Sequence, residues 1–222
     1  MLIEIFGKKV PTTPKELIDP SHSAVVVVDA QNDFCKKGGL TEEYWGELAG
    51  YSKTIKNIKR LIDAAMKVGI PIIFTMNTSL PNHATESASH IHFLIRGWAG
   101  GDVKRIPTCT VEGTWGEQIA DELKPDHKLI VVKKNRASAF THTNFDLVLR
   151  NHNIKTLVVT GFVTDQCVLT TARDADCFDY FVVVARDCVN SPRKKLHRAA
   201  MSLMEWRLNV MSSSDIINVW AI

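Results

Sequence analysis

The chain has 222 residues, 27 Lys plus Arg against 24 Asp plus Glu, and 45% hydrophobic residues. At roughly 150 residues per domain that length suits one large domain or two small ones; no linker divides it, so residues 1–222 read as a single unit. A charged fraction of 23% and a net charge of +3 exclude a disordered chain and give no reason to expect nucleic acid as a partner.

The longest purely apolar run, Tyr180 to Ala185, is six residues. A membrane helix needs roughly 18, so no membrane partner is expected. Glu4 falls among the early apolar residues and Lys8-Lys9 follow them, the reverse of a secretory leader. Five cysteines, an odd count without a CxxC pair, suit reduced thiols in a cytoplasmic protein.

In chain order, Ala24 to Val28 is a β-branched run that predicts a strand ending at Asp29. Ile55, Ile58, Ile62 and Ala65 predict one face of a helix from about Tyr51 to Val68, closed by Gly69. A strand follows from Ile70 to Met76. The stretch from Asn77 to Thr114 interrupts the pattern, and an insertion of that length after a strand reads as a lid or substrate loop. Lys128 to Val132 predicts the next strand, and Phe145, Val148 and Leu149 a short helix. Thr156 to Gly161 is another strand, followed by a helix with Val168, Leu169 and Ala172 facing inward. Tyr180 to Ala185 is a strand, and Leu196, Ala199, Ala200 and Leu203 make the inner face of a helix opened by Ser191-Pro192. Asn209 to Met211 is a weaker strand candidate. Continuous rather than alternating apolar runs suit strands covered on both faces. Their alternation with helices predicts a doubly wound α/β sandwich.

Ligands of such sheets bind beyond the carboxyl ends of the strands. That directs attention to Asp29, Asn77, Lys134, the turn from Phe162 to Cys167, and Asp187. Cys167 lies near a helix start, with Thr164 or Asp165 as its N-cap, where the helix dipole favours thiolate. A thiol, a carboxylate to take its proton and a cation to hold the carboxylate make a nucleophilic device. Each also has an ordinary reading. A single Cys packs as a small hydrophobe, a strand-end Asp caps or pairs, and a Lys after a strand is solvated. Spacing alone leaves both open.

Three segments narrow the choice: Val28-Asp29-Ala30-Gln31-Asn32-Asp33-Phe34, Lys134-Asn135-Arg136-Ala137-Ser138-Ala139-Phe140, and Thr160-Gly161-Phe162-Val163-Thr164-Asp165-Gln166-Cys167-Val168. Together with Thr171-Ala172-Arg173-Asp174-Ala175 and Asp187-Cys188, they resemble the isochorismatase-like cysteine hydrolase superfamily over roughly Ser21 to Met211. The resemblance implies a three-layer α/β/α sandwich of Rossmann-like topology with a six-stranded parallel sheet. It also implies a catalytic triad of Asp29, Lys134 and Cys167. Asp29 would move the thiol proton to the leaving group, Cys167 would form a thioester, and Lys134 would orient Asp29. A cis peptide between Phe162 and Val163 would turn the backbone N–H groups of Val163 and Cys167 toward the oxyanion. With strand order 3-2-1-4-5-6, Lys134 would lie two strands, about 10 Å, from Asp29, so the loop from Lys133 to Phe140 is expected to fold back over the sheet edge.

Within that superfamily true isochorismatases lack the cysteine, so Cys167 points to amide cleavage. Nicotinamidases carry an Asp-x-His after the second strand, where this chain reads Asn77-Thr78-Ser79. His90-x-His92 is a weak metal signal without a nearby carboxylate, so neither metal nor cofactor is expected. The reading is an amidohydrolase acting on a small linear amide or ureide, similar to the biuret, ureidoacrylate and N-carbamoylsarcosine hydrolases. Phe34, Asn77, Arg96, Trp115 and Phe162 are the candidate substrate contacts. Arg96, Lys104 and Arg105 are cations of the insertion suited to a substrate carboxylate. A nicotinamidase and a non-catalytic binding protein of the same fold are the alternatives; dinucleotide binding lacks its GxGxxG. A homodimer or homotetramer is expected, as is usual in that superfamily.

Overall fold

The computed structural model describes residues 2–124 and 130–221. The chain opens with a hairpin of β1 (Ile3–Ile5) and β2 (Lys8–Val10), then α1 (Pro14–Leu17) and β3 (Ser23–Val28). Two short helices, α2 (Asn32–Cys35) and α3 (Leu40–Trp45), lead into α4 (Tyr51–Lys67) and β4 (Ile72–Asn77). After α5 (Ala88–Gly97) come β5 (Ile130–Lys134), α6 (Phe145–Asn151), β6 (Thr156–Phe162) and α7 (Leu169–Cys177). The chain ends with β7 (Phe181–Asn190), α8 (Lys194–Arg207), β8 (Asn209–Met211) and α9 (Ser213–Trp220).

β3 through β8 form one six-stranded sheet in the order β5-β4-β3-β6-β7-β8, every neighbouring pair parallel. All six residues of β3 are buried. Its alternate side chains feed two cores: Val25 and Val27 meet α4 and α9 on one face, while Ala24, Val26 and Val28 meet α6 and α7 on the other. A fully buried Val contributes about 1.5–3 kcal/mol, which is why an unbroken valine run sits at the sheet centre. α4 buries Ile55, Ile58, Ile62 and Ala65, the predicted stripe, and Gly69 closes it at φ +77. This is the three-layer α/β/α sandwich expected. No helix among the described residues is long and apolar enough to cross a membrane.

Several boundaries differ from the sequence reading. The strand expected over Lys128 to Val132 begins outside the described residues; its described part runs Ile130–Lys134, which puts Lys134 inside the strand. β7 continues past Ala185 to Asn190 through a register shift against β6, so Asp187 is not at a strand end. Asp187 instead accepts hydrogen bonds from Ser213 N (2.7 Å) and Ser213 Oγ (2.6 Å) at the start of α9. α8 rests on Ala200 and Met204, leaving Leu196, Ala199 and Leu203 exposed: the apolar stripe is turned one position from the expected face. Trp220 is buried in the core, its Nε1 donating to Ile18 O at 2.9 Å.

Candidate active site

Asp29, at the end of β3, takes φ +46, a left-handed conformation that Asp tolerates better than most residues. Its N–H donates to Thr75 O at 3.2 Å, and its Oδ1 accepts from Thr75 Oγ1 at 2.7 Å. Thr75 belongs to β4, the strand between β3 and β5, so one residue of the intervening strand fixes the carboxylate. Lys134 ends β5 opposite Asn77 of β4. Its four-carbon stem spans that strand, and Nζ reaches Asp29 Oδ2 at 2.6 Å. No loop has to fold back, contrary to the expectation from strand order; the side chain alone closes the distance.

The Lys134 ammonium makes three contacts, matching its three protons: Asp29 Oδ2, Arg136 O at 2.9 Å and Cys167 Sγ at 3.5 Å. The contact with Oδ2 is an ion pair more than an aligned hydrogen bond, since by hydrogen-bond geometry alone that oxygen has no partner. Both side chains of the pair are fully buried. Burial disfavours the ammonium, but the Asp29 carboxylate and the neighbouring sulfur outweigh it and hold the Lys134 pKa above its ordinary value.

The thiol departs from expectation. Burial pushes Cys167 up to about 12; Lys134 pulls it down, while the charge of Asp29 and a hydrogen bond to it push it up again. Residues Thr164–Val168 form a π-helical turn ahead of α7 rather than its first α-turn. The desolvated setting beside a carboxylate outweighs any help from the helix end. Cys167 therefore sits beside an anion and a cation, its sulfur 3.5 Å from Lys134 Nζ, in a setting that favours the thiol over a preformed thiolate.

The turn before it is held from outside. Thr164 does not cap the helix; its Oγ1 meets His197 Nδ1 at 2.9 Å. Asp165 pairs with Arg193 at 2.8 Å, whose guanidinium covers the Trp45 ring. The Phe162-Val163 peptide is cis. Gly161, at φ +114, packs so tightly that a Cβ there would fall 2.0 Å from Val28 O, so glycine alone fits beside the end of β3.

Cys167 opens into a cleft of about 80 Å³. Phe34, Asn77 and Phe162 line it, as expected, along with Val163. Arg96 and Trp115 do not: Arg96 is on the exposed side of α5, and Trp115 is half exposed, its carbonyl accepting from Asn32 Nδ2 at 2.8 Å. Phe93, Leu94, Trp98, His90, Arg136 and Gln166 complete the walls. Sequence reasoning missed His90, Phe93, Leu94 and Trp98 because it treated the insertion as loop, and Arg136 and Gln166 because the motifs gave them no separate role. The signal was present: Ser87 caps α5 by accepting from His90 N, and His90, Phe93 and Leu94 follow at helical spacing. Burial and the nearby Arg136 lower the pKa of His90, so it faces the cleft as neutral imidazole near pH 7. A larger recess of about 660 Å³ lies over α4 and shares no residue with this cleft. Among the described residues no three His, Cys, Asp or Glu side chains group as metal ligands would.

The Gln31-Asn32-Asp33 segment next to Asp29 is a clamp. Gln31 Nε2 donates to Asn77 O (2.8 Å) and Glu117 O (2.7 Å), and its Oε1 accepts from Asn77 N (2.8 Å). Asp33 Oδ2 accepts from Thr110 N at 2.6 Å. With Asn32 on Trp115 O, the segment pins the insertion against the strand ends, where Phe34 then faces the cleft.

The isochorismatase domain model matches residues 23–216. The chain belongs to the isochorismatase family. Ureidoacrylate amidohydrolase RutB of Rhizobium rhizogenes is 34% identical over 185 residues, covering 81% of this chain and 75% of the relative. RutB of Pseudomonas syringae pv. syringae is 32% identical over 215 residues, 94% and 88%. Among solved structures, a cysteine hydrolase from Pseudomonas syringae pv. phaseolicola superposes with a TM-score of 0.78 at 21% identity, over 92% of this chain and 95% of that one. N-carbamoylsarcosine amidase of Thermoplasma acidophilum gives 0.64 at 27% identity, over 86% and 96%. Within the family this chain is a hydrolase.

Proposed function

We propose that this isochorismatase-family hydrolase cleaves the C–N bond of a small, non-peptide ureido or carbamoyl compound through a thioester on Cys167. The observation that carries the reading is the buried cation of Lys134 bridging Asp29 at 2.6 Å and Cys167 at 3.5 Å, with the sulfur facing a cleft. RutB relatives at about a third identity support the amide class. The cleft's size suits a compact substrate and not a polymer.

In this reading Asp29 takes the thiol proton as Sγ attacks the carbonyl carbon. Burial disfavours the thiolate, so its formation needs a base beside it, and Asp29 is that base. The Lys134 charge stabilises the thiolate as it forms. The N–H groups of Val163 and Cys167 hold the tetrahedral oxyanion, where one such donor is worth about 3 kcal/mol. The C–N bond breaks, the nitrogen leaves with the proton from Asp29, and the acyl group stays on sulfur. Water then adds, gives its proton to Asp29 and displaces the thiol, so that a ureide yields ammonia and a carbamate.

The test is ammonia release from a panel of ureides and amides by wild type and Cys167→Ala, with intact-protein mass spectrometry to catch the acyl-enzyme. We expect the variant to fold and to lose at least about 10⁴-fold in turnover. Substantial hydrolysis by Cys167→Ala would remove the thioester.

A further inference from the structure

Arg193 stands immediately before α8, and its Nη2 lies 2.8 Å from Asp165 Oδ2. Asp165 is the second residue of the π-helical turn Thr164–Val168 and comes two positions before Cys167. The pair is largely out of water, the Arg193 side chain 14% and the Asp165 side chain 5% exposed. On its other side the guanidinium carbon sits 4.9 Å from the centre of the Trp45 ring. Trp45 meets Trp98 edge-on with 4.2 Å between ring centres, and Trp98 lines the cleft. Trp98, Trp45, Arg193 and Asp165 thus form an unbroken line of contacts from the substrate-facing wall to the turn of the nucleophile.

That turn is weakly held by its own backbone: the i→i+5 bond from Val168 N to Val163 O is long at 3.4 Å. Neither Asp165 carboxylate oxygen nor Arg193 Nε has an aligned hydrogen bond among the described residues. Attraction between the two charges is therefore what locates the carboxylate. Away from water that attraction is strong, and a buried carboxylate deprived of its cation turns toward solvent and takes its backbone along. The bond between Thr164 and His197 keeps the start of the turn in place, so the part that shifts is the part carrying Cys167.

We infer that Arg193 is a positioning residue. Through Asp165 it sets where the Cys167 thiol and N–H stand, and through Trp45 it makes that placement depend on the packing of Trp98 in the substrate-facing wall. This rests on the hydrolytic reading above.

The experiment compares kcat and KM for the ureide that wild type turns over best. Arg193→Met should lower kcat about 30-fold, the scale of a nucleophile misplaced by under an ångström, with KM within about threefold. Arg193→Lys should recover part of that loss. Trp45→Leu should lower kcat about fivefold, and adding it to Arg193→Met should cost nothing more, because both act along one path. Arg207→Met is the control: it breaks the other ion pair between α8 and α7, Arg207 Nε to Asp176 Oδ2 at 2.8 Å, and should keep kcat within about twofold. Should Arg193→Met fail to fold, Asp165→Asn with Arg193→Met leaves no lone buried charge and should show the same loss. Wild-type kcat in the Arg193 variants, an equal loss in Arg207→Met, or losses that multiply would overturn the assignment. Iodoacetamide labelling, with the modified peptide mapped by mass, tests the placement without turnover. Arg193→Met should alkylate Cys167 at least about threefold faster than wild type, since a loosened turn uncovers the sulfur. If wild type hydrolyses no compound and this acceleration is seen, the hydrolytic reading has failed and the positioning role stands. Alkylation at the wild-type rate, or equally faster in Arg207→Met, rejects the positioning role itself.

Discussion

Two regions build the cleft, and they are held in opposite ways. The central strands β3 and β6 are buried along their whole length, mostly apolar, and pair in register from Ser23↔Thr156 to Val28↔Gly161. The segment from Thr78 to Ile119 reaches the same site with few buried apolar residues, fastened by single polar contacts: Gln31 on Asn77 and Glu117, Asn32 on Trp115, Asp33 on Thr110, and Thr78 Oγ1 on Glu117 Oε1 at 2.9 Å. The strands provide the carboxylate and the thiol turn; the fastened segment provides the substrate-facing wall. Chemistry is thus set on the rigid part and recognition on the part held by side-chain clamps, which can vary without disturbing the sheet.

The largest effect should come from striking the rigid part. Gly161→Ala places a methyl group 2.0 Å from Val28 O at φ +114, between the two central strands. Neither backbone can retreat without breaking ladder hydrogen bonds. We expect a loss of about 4 kcal/mol or more, read as a large fall in the urea midpoint or as failure to accumulate folded protein. A variant with wild-type stability would mean that β3 and β6 are not packed this closely.

A smaller and more local effect should follow from opening the clamp. Gln31→Ala leaves Asn77 N, Asn77 O and Glu117 O without their partner, at a cost of about 2–3 kcal/mol. Hydrogen exchange distinguishes this from general destabilisation. Amides across 78–119 should exchange faster while those of β3 and β6 keep their protection, and KM should rise more than kcat falls because Asn77 lines the cleft. Loss of protection spread evenly over both regions would show that they open as one unit.

The same contrast explains what could be read from the sequence. The strands and α4 were legible because burial on two faces or one stripe leaves a periodic mark, as in Val25 to Val28 or Ile55, Ile58, Ile62. The meeting of Asp29, Lys134 and Cys167 was legible only through the motifs, since nothing periodic says that a lysine will reach across a neighbouring strand. The Gln31 clamp left no pattern, because a side chain bonding to a distant backbone carries no spacing rule. The ionisation of Cys167 was misread for a related reason. A helix end can be inferred from sequence, whereas the burial that outweighs it is a property of the assembled site.

The smallest effect distinguishes Arg96, the substrate contact expected from the sequence, from Arg136, which the structure places in the cleft wall instead. Arg96 lies on α5, the helix that also carries His90, Phe93 and Leu94, but on its exposed side. Arg136 lies in the cleft wall with a free guanidinium edge. A solvated arginine screened by water and salt exerts little force on a ligand inside a cleft, whereas a half-buried one acts at short range in a lower dielectric. Arg96→Ala should therefore leave kcat/KM within about twofold and stability within about 0.5 kcal/mol, measured beside Arg136→Gln on the same ureide. A loss at Arg96 as large as that at Arg136 would mean that α5 presents its other face to the substrate, and the wall described here would have to be rotated.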